Sequence, residues 1–162
     1  MIVLRYLYVV ALVLWVGGLV MAGALVAPTV FGVLQAWNAT EGRVLAGQVF
    51  GEVLLRLTWL SYAMGAVMFI TLTLHRLLGA RPLKYGVRVG IMALMMLMML
   101  ALGFYILPQI NAIQSDVSGP VNALLETDAR RVEFDRLHGL SNILFSITAI
   151  GGLALCFWEA RE

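Results

Sequence analysis

The stretch that decides the fold is Tyr6 to Leu34, "YLYVVALVLWVGGLVMAGALVAPTVFGVL", which contains no Asp, Glu, Lys or Arg. As a helix rising ~1.5 Å per residue it is about 43 Å long, more than the ~30 Å hydrocarbon core of a bilayer. Such a run predicts a transmembrane helix that tilts, bends or protrudes. Pro28 lies near its far end and is the expected bend, because proline removes a backbone donor. Arg5 followed by an apolar run and the small residues Ala22 and Ala24 resembles a signal peptide. The apolar run outlasts the ~7–15 residues of a signal core, so a retained helix is expected.

The composition extends this reading to the whole chain. Hydrophobic residues make up 62% of its 162 residues and charged residues 12%, against about 25% charged in soluble domains. Mean hydropathy is +0.93. The net charge of +2 does not point to nucleic acid. The basic residues gather at the ends of apolar runs, where they act as topology signals. The single cysteine, Cys156, excludes an intramolecular disulfide and supports neither a thiolate zinc site nor an iron–sulfur cluster.

Three further runs complete the pattern. Leu57–Leu74 is preceded by an amphipathic lead-in from Glu41 to Arg56. Val89–Leu107 is ended by Pro108. Leu137–Trp158 is led by a charged, helix-forming stretch from Val121 to Arg136. Backbone groups in lipid must bond within their own segment, so four helical spans are expected at about 6–34, 52–78, 86–110 and 132–158. The runs do not alternate as the strands of a membrane barrel do. The expected fold is an all-α integral membrane protein. It is one domain, an antiparallel up-down four-transmembrane-helix bundle with no internal repeat. The connection holding Arg76, Arg81, Lys84 and Arg88 contains no acid and is expected in the cytoplasm, with both termini. A bacterial inner membrane fits this topology.

Close crossings are expected where small residues recur every four positions. Gly18 with Ala22, Gly23 with Ala27, Gly47 with Gly51, and Gly86 with Gly90 meet that spacing, and Gly17 adjoins the first pair. Met92, Met95, Met96 and Met99 share one face of the third span. A copper(I) ladder needs such sulfurs, but leucines surround them and no cysteine or histidine joins. The expected role is a flexible apolar face against lipid, a neighbouring helix or a hydrophobic cofactor.

The polar residues point to one rim. Arg131, Asp135, His138 and Asn142 share a helix face, with Ser141 beside them. In an up-down bundle they meet Glu52 and Arg56 at the start of the second span, and Gln109 and Asn111 at the end of the third. The expected binding cluster is therefore Glu52, Arg56, Gln109, Asp135, Arg136, His138, Ser141 and Asn142, since ionisable groups in a membrane are candidate functional sites. The alternative is purely structural: Asp135 holding His138 and Glu52 neutralising Arg56. Asn38-Ala39-Thr40 fits a glycosylation pattern of low specificity. His75 and His138 lie at opposite ends of their spans, so they are expected too far apart to ligate one haem. Single-histidine ligation of haem or chlorophyll is disfavoured, while a bound lipid or pigment stays open. His75 is expected to serve its helix C-terminus.

Four segments in order, "LWVGGLVMAGALVAPTVF" (Leu14–Phe31), "AGQVFGEVL" (Ala46–Leu54), "FYILPQINAI" (Phe104–Ile113) and "FDRLHGLSNILF" (Phe134–Phe145), resemble the family of domain of unknown function 4149, which includes transmembrane protein 205-like proteins. The matching positions are Trp15, Gly17, Gly18, Pro28, Phe31, Pro108, Arg136, His138, Gly139 and Ser141. The resemblance implies a small four-helix membrane protein and no particular chemistry. It also implies a basic residue soon after the third-span proline, where this chain has Gln109 and Gln114.

No nucleophile–base pair and no metal-ligand set stands out, so no enzymatic activity, catalytic residue or metal site is assigned. The expected role is a structural or accessory subunit of a larger membrane complex. Its partners are the bilayer and other membrane subunits, not nucleic acid. The alternative is a transporter or small-ligand binder using the rim around His138.

Overall fold

A computed structural model describes residues 2–79 and 82–161; Arg81 of the basic connection lies outside the described residues. Four helices carry the fold: α1 (Ile2–Trp37), α2 (Glu41–Leu78), α3 (Tyr85–Asp116) and α4 (Ala129–Glu159). All four are long and apolar enough to cross a membrane, and no strand occurs among the described residues. The helices overrun the expected spans, because the amphipathic lead-in from Glu41 and the charged stretch from Ala129 continue their apolar runs without a break.

Neither proline ends its helix. In α1 a π-turn spans Ala22–Val26 just before Pro28; in α3 another spans Leu102–Ile106 just before Pro108. Ala27 N–H donates to the carbonyl of Ala22, and Leu107 N–H to that of Leu102. Both bonds reach back five residues and absorb the register change where proline offers no donor. The two turns lie eighty residues apart, within the same Gly-x-x-x-x-Pro pattern at Gly23–Pro28 and Gly103–Pro108. Five buried pairs share that offset: Tyr8 with Arg88, Leu12 with Met92, Trp15 with Met95, Leu19 with Met99, and Ala22 with Leu102. α1 and α3 thus share a π-turn before proline and part of their buried faces. Apolar residues interchange so freely along these helices that identity does not display the likeness.

The core is the space between the four helices. Leu12 and Trp15 from α1, Met68 and Leu72 from α2, Met92, Met95, Met99 and Leu102 from α3, and Leu155 from α4 are almost fully buried there. The methionine face therefore packs on neighbouring helices rather than lipid. Only 22% to 33% of each apolar window is buried within the chain, so most of each window faces outward. Val13, Leu97, Phe104, Ile150 and Leu153 are among the large side chains exposed there, a surface that lipid must cover.

Glycines permit the closest approaches. A side chain at Gly152 would meet Val16 of α1, and one at Gly42 would meet the backbone carbonyl of Leu34 across the α1–α2 turn. Buried hydroxyls bond their own helices: Thr58 donates to Leu54, Ser61 to Leu57, and Thr148 to Leu144, each at 2.8 Å. Tyr62 reaches further, donating to the Met99 carbonyl at 3.0 Å and tying α2 to α3.

The connections have their own chemistry. The Asn38 side chain accepts from Thr40 and Glu41 N–H groups at 3.0 Å, which starts α2 and gives the glycosylation triplet a structural role. Asp128 caps α4 by accepting from the Arg130 N–H at 2.9 Å. Side-chain and backbone hydrogen bonds from Arg130 hold the Asp128 carboxyl at about 2, below its ordinary 3.8.

Candidate functional site

The rim around His138 resolves into pairs within single helices. Arg56 Nη2 stands 3.5 Å from Glu52 Oε1, both on α2, which is the i,i+4 pair its spacing predicts. On α4, Arg136 pairs with Glu133 at 3.3 Å, and Arg131 approaches Asp135 at 3.9 Å. His138 is exposed and stacks on Phe134, with ring centroids 5.9 Å apart and planes 3° from parallel. Ser141 is buried and donates to the His138 carbonyl at 2.7 Å. Asn142 is exposed, and Gln109 is half-buried on α3. No hydrogen bond or ion pair joins any of these eight residues across helices, and none links His138 to Asp135, among the described residues.

The packing glycines divide in two. A Cβ added at Gly18 would lie 2.8 Å from Leu57 Cδ1, one at Gly47 3.2 Å from Gln114 Nε2, and one at Gly51 3.8 Å from Asn111 Oδ1. Around Gly17, Gly86 and Gly90 a side chain would meet nothing within 4 Å.

The polar cluster that the four helices do share lies at the other end of the bundle. Arg88, at the start of α3, is fully buried in this chain. Its Nη2 contacts Glu159 Oε2 at 2.5 Å, and its guanidinium lies 4.7 Å from the Tyr8 ring centroid. Arg5 of α1 reaches the same carboxylate, Nε to Glu159 Oε1 at 2.6 Å, and its Nη2 donates to the Glu159 carbonyl at 3.0 Å. Each carboxylate oxygen therefore holds one arginine. Thr71, Leu72 and His75 of α2 complete the surround, and the group encloses a cavity of about 10 Å³, enough for roughly one water. His75 thus lines a cavity beside Glu159. His138 lies 21 residues earlier on α4, about 32 Å away along the helix axis. One haem cannot join them.

In the sequence Arg5 and Arg88 read only as basic residues at the ends of apolar runs, and Glu159 does not stand out. They lie 71 and 154 positions apart in their two bonded pairs. The available signal was an acid closing an apolar run at the end where the basic residues gather. Among the described residues no group of three His, Cys, Asp or Glu side chains could hold a metal ion.

The profile described as Domain of unknown function (DUF4149) matches residues 10–118. The chain belongs to that family. The match covers most of α1, the whole of α2 and α3, and the residues that carry both π-turns. Of the shared cluster it includes Arg88, Thr71, Leu72 and His75; Arg5, Tyr8 and Glu159 lie outside it. No curated protein and no solved structure matches the chain.

Proposed function

We propose that this DUF4149 chain is a non-enzymatic structural or accessory subunit of a larger complex in a bacterial inner membrane. It crosses as an antiparallel up-down bundle with both termini in the cytoplasm. The observation that carries this reading is the orientation of the small residues. Gly86 and Gly90 stand four apart at the start of α3 and face open space, the spacing at which a second transmembrane helix packs closely. The filled interior agrees with it: Trp15 and the buried methionines occupy the centre, where a passage for a solute would run.

Purification from native membranes in mild detergent tests the proposal. The chain is expected to co-purify at fixed stoichiometry with a membrane partner, and Gly86→Leu/Gly90→Leu to release that partner while the chain stays folded. A wild-type chain that always runs alone or only with copies of itself refutes it.

A second reading, binding of a small ligand by polar groups, draws support from the Arg5–Arg88–Glu159 cluster rather than from the His138 rim. Buried ionisable groups gathered from several helices are what such sites are made of.

A further inference from the structure

We propose that α4 pairs in parallel with α4 of a second copy of this chain, along a seam on its outward face. The inference needs only that the helices lie in a bilayer, and it stands apart from the accessory role, which rests on α3. Leu137, Ser141, Thr148, Gly152 and Leu155 turn one side of α4 into the bundle. On the other side Asp135, Gly139, Asn142, Ser146 and Leu153 are exposed and Ala149 is half-buried. Steps of four and three residues alternate along that set, the spacing at which two helices cross in a left-handed pair. The apolar window of α4 is 22% buried, the smallest share of the four helices.

The seam suits a helix better than acyl chains. Asn142 and Ser146 lie inside the run Leu137–Trp158, which contains no Asp, Glu, Lys or Arg. Asn142 stands six residues beyond Arg136, about 9 Å along the axis. Ser146 is satisfied on its own helix, donating to the Asn142 carbonyl at 2.8 Å. The Asn142 carboxamide has no hydrogen-bond partner among the described residues. Lipid tails offer it none, so the group costs free energy until a neighbouring helix supplies one. Gly139, Ser146 and Ala149 are small, and a side chain at Gly139 would meet nothing within 4 Å. A second backbone can therefore approach closely there.

The chemistry of the seam matches a second copy of itself. A carboxamide both donates and accepts, so Asn142 beside a two-fold axis bonds its own counterpart. At the rim, Asp135 occupies the seam and Arg136 flanks it, with side chains 66% and 69% exposed. In a parallel pair a seam residue packs beside the flanking residue of the other helix. Asp135 of each copy then meets Arg136 of the other, and the two contacts are reciprocal. That charge complementarity is what an interface built from one patch used twice requires. Copies inserted with the same topology also present their α4 helices in parallel.

Crosslinking of the full chain in native membranes tests the seam. In a Cys156→Ala background, Ser146→Cys is expected to give a disulfide-linked dimer of the chain under mild oxidation. Ile147→Cys is expected to give none, although Ile147 is 39% exposed, because the next residue points about 100° away. In liposomes, energy transfer between chains labelled at the N-terminus reads the dimer. Association is expected to weaken about tenfold in Asn142→Leu, to be lost in Asp135→Arg, and to return in the swapped Asp135→Arg/Arg136→Asp. Should a charge variant fail to fold, crosslinking and Asn142→Leu decide. No crosslink, equal crosslinking of the two cysteine variants, a Ser146→Cys crosslink only to a different protein, or wild-type association in Asn142→Leu each overturns the proposal. Gly86→Leu/Gly90→Leu is expected to keep the Ser146→Cys crosslink, so loss of a membrane partner and loss of the dimer are read separately.

Discussion

Glu159→Gln is the substitution whose consequence the structure fixes most tightly. Glutamine keeps the shape and one acceptor but removes the carboxylate charge that bridges Arg5 and Arg88. The Glu159 and Arg88 side chains are 9% and 1% exposed, so water screens little of the change. Removing one partner of a buried ion pair costs about 3–5 kcal/mol, because the charge left behind stays desolvated. At roughly 2–4 °C per kcal/mol for a chain of this size, the midpoint falls about 6–20 °C. Thermal unfolding of the purified protein in detergent measures it, with Arg88→Met and the double variant Arg88→Met/Glu159→Leu closing a cycle. The double variant is expected to recover much of the loss, since an apolar pair can replace a buried ion pair at little cost. A Glu159→Gln midpoint within about 2 °C of wild type, below the smallest shift expected for a desolvated pair, would show a hydrated cluster and refute the reasoning.

Other substitutions separate the two kinds of glycine. Gly42→Ala drives a methyl group into the Leu34 carbonyl and is expected to lower stability by about 1–3 kcal/mol. Gly86→Ala meets nothing and is expected to be neutral or to gain up to about 1 kcal/mol from helix propensity; chemical unfolding compares the two. His138→Ala removes an exposed ring stacked on Phe134, so a change within about 0.5 kcal/mol is expected in the same assay. Asp128 is bound as a carboxylate, with its pKa lowered from 3.8 to about 2. Its contribution is therefore complete above about pH 4 and is lost as pH falls toward about 2. Amide exchange at the start of α4 is expected to quicken over that window, while Asp128→Asn, which also caps, removes the pH dependence.

The fold was legible because lipid imposes a coarse rule. Runs such as Tyr6–Leu34 and Val89–Leu107 leave helix as the state that satisfies the backbone, and their number sets the number of rods. The helix ends were not legible in the same way. Glu41–Arg56 and Ala129–Arg136 carry charge, which marks them as outside the hydrocarbon but does not interrupt a helix. Pro28 reads as a bend and Pro108 as a stop, because proline lacks a donor and crowds the preceding turn. A π-turn solves both problems by moving the neighbouring N–H to a carbonyl five residues back. Whether a proline ends a helix or merely shifts its register depends on the residues beyond it. Here Thr29–Trp37 and Gln109–Asp116 remain good helix.

The polar site is the instructive case, since spacing alone favoured the other end of the bundle. Arg131, Asp135, His138 and Asn142 repeat at helical intervals, so their shared face can be read along one segment. That proximity is also what satisfies them locally: Arg131 turns to Asp135, and Arg136 to Glu133. Arg5, Arg88 and Glu159 have no suitable partner on their own helices. The connection rich in Arg76, Arg81, Lys84 and Arg88 has no acid, so nothing nearby can neutralise an arginine there. Arg88 sits at the position of α3 that corresponds to buried Tyr8 of α1, which sends it inward. A buried guanidinium must find a carboxylate, and Glu159 closes the last helix at that end. Charge without a counter-charge on its own helix therefore directs attention to distant partners, whereas paired charge along one helix explains itself. Topology rules assign such arginines to a side of the membrane, but the missing local counter-charge is what marks Arg88 as an interior residue.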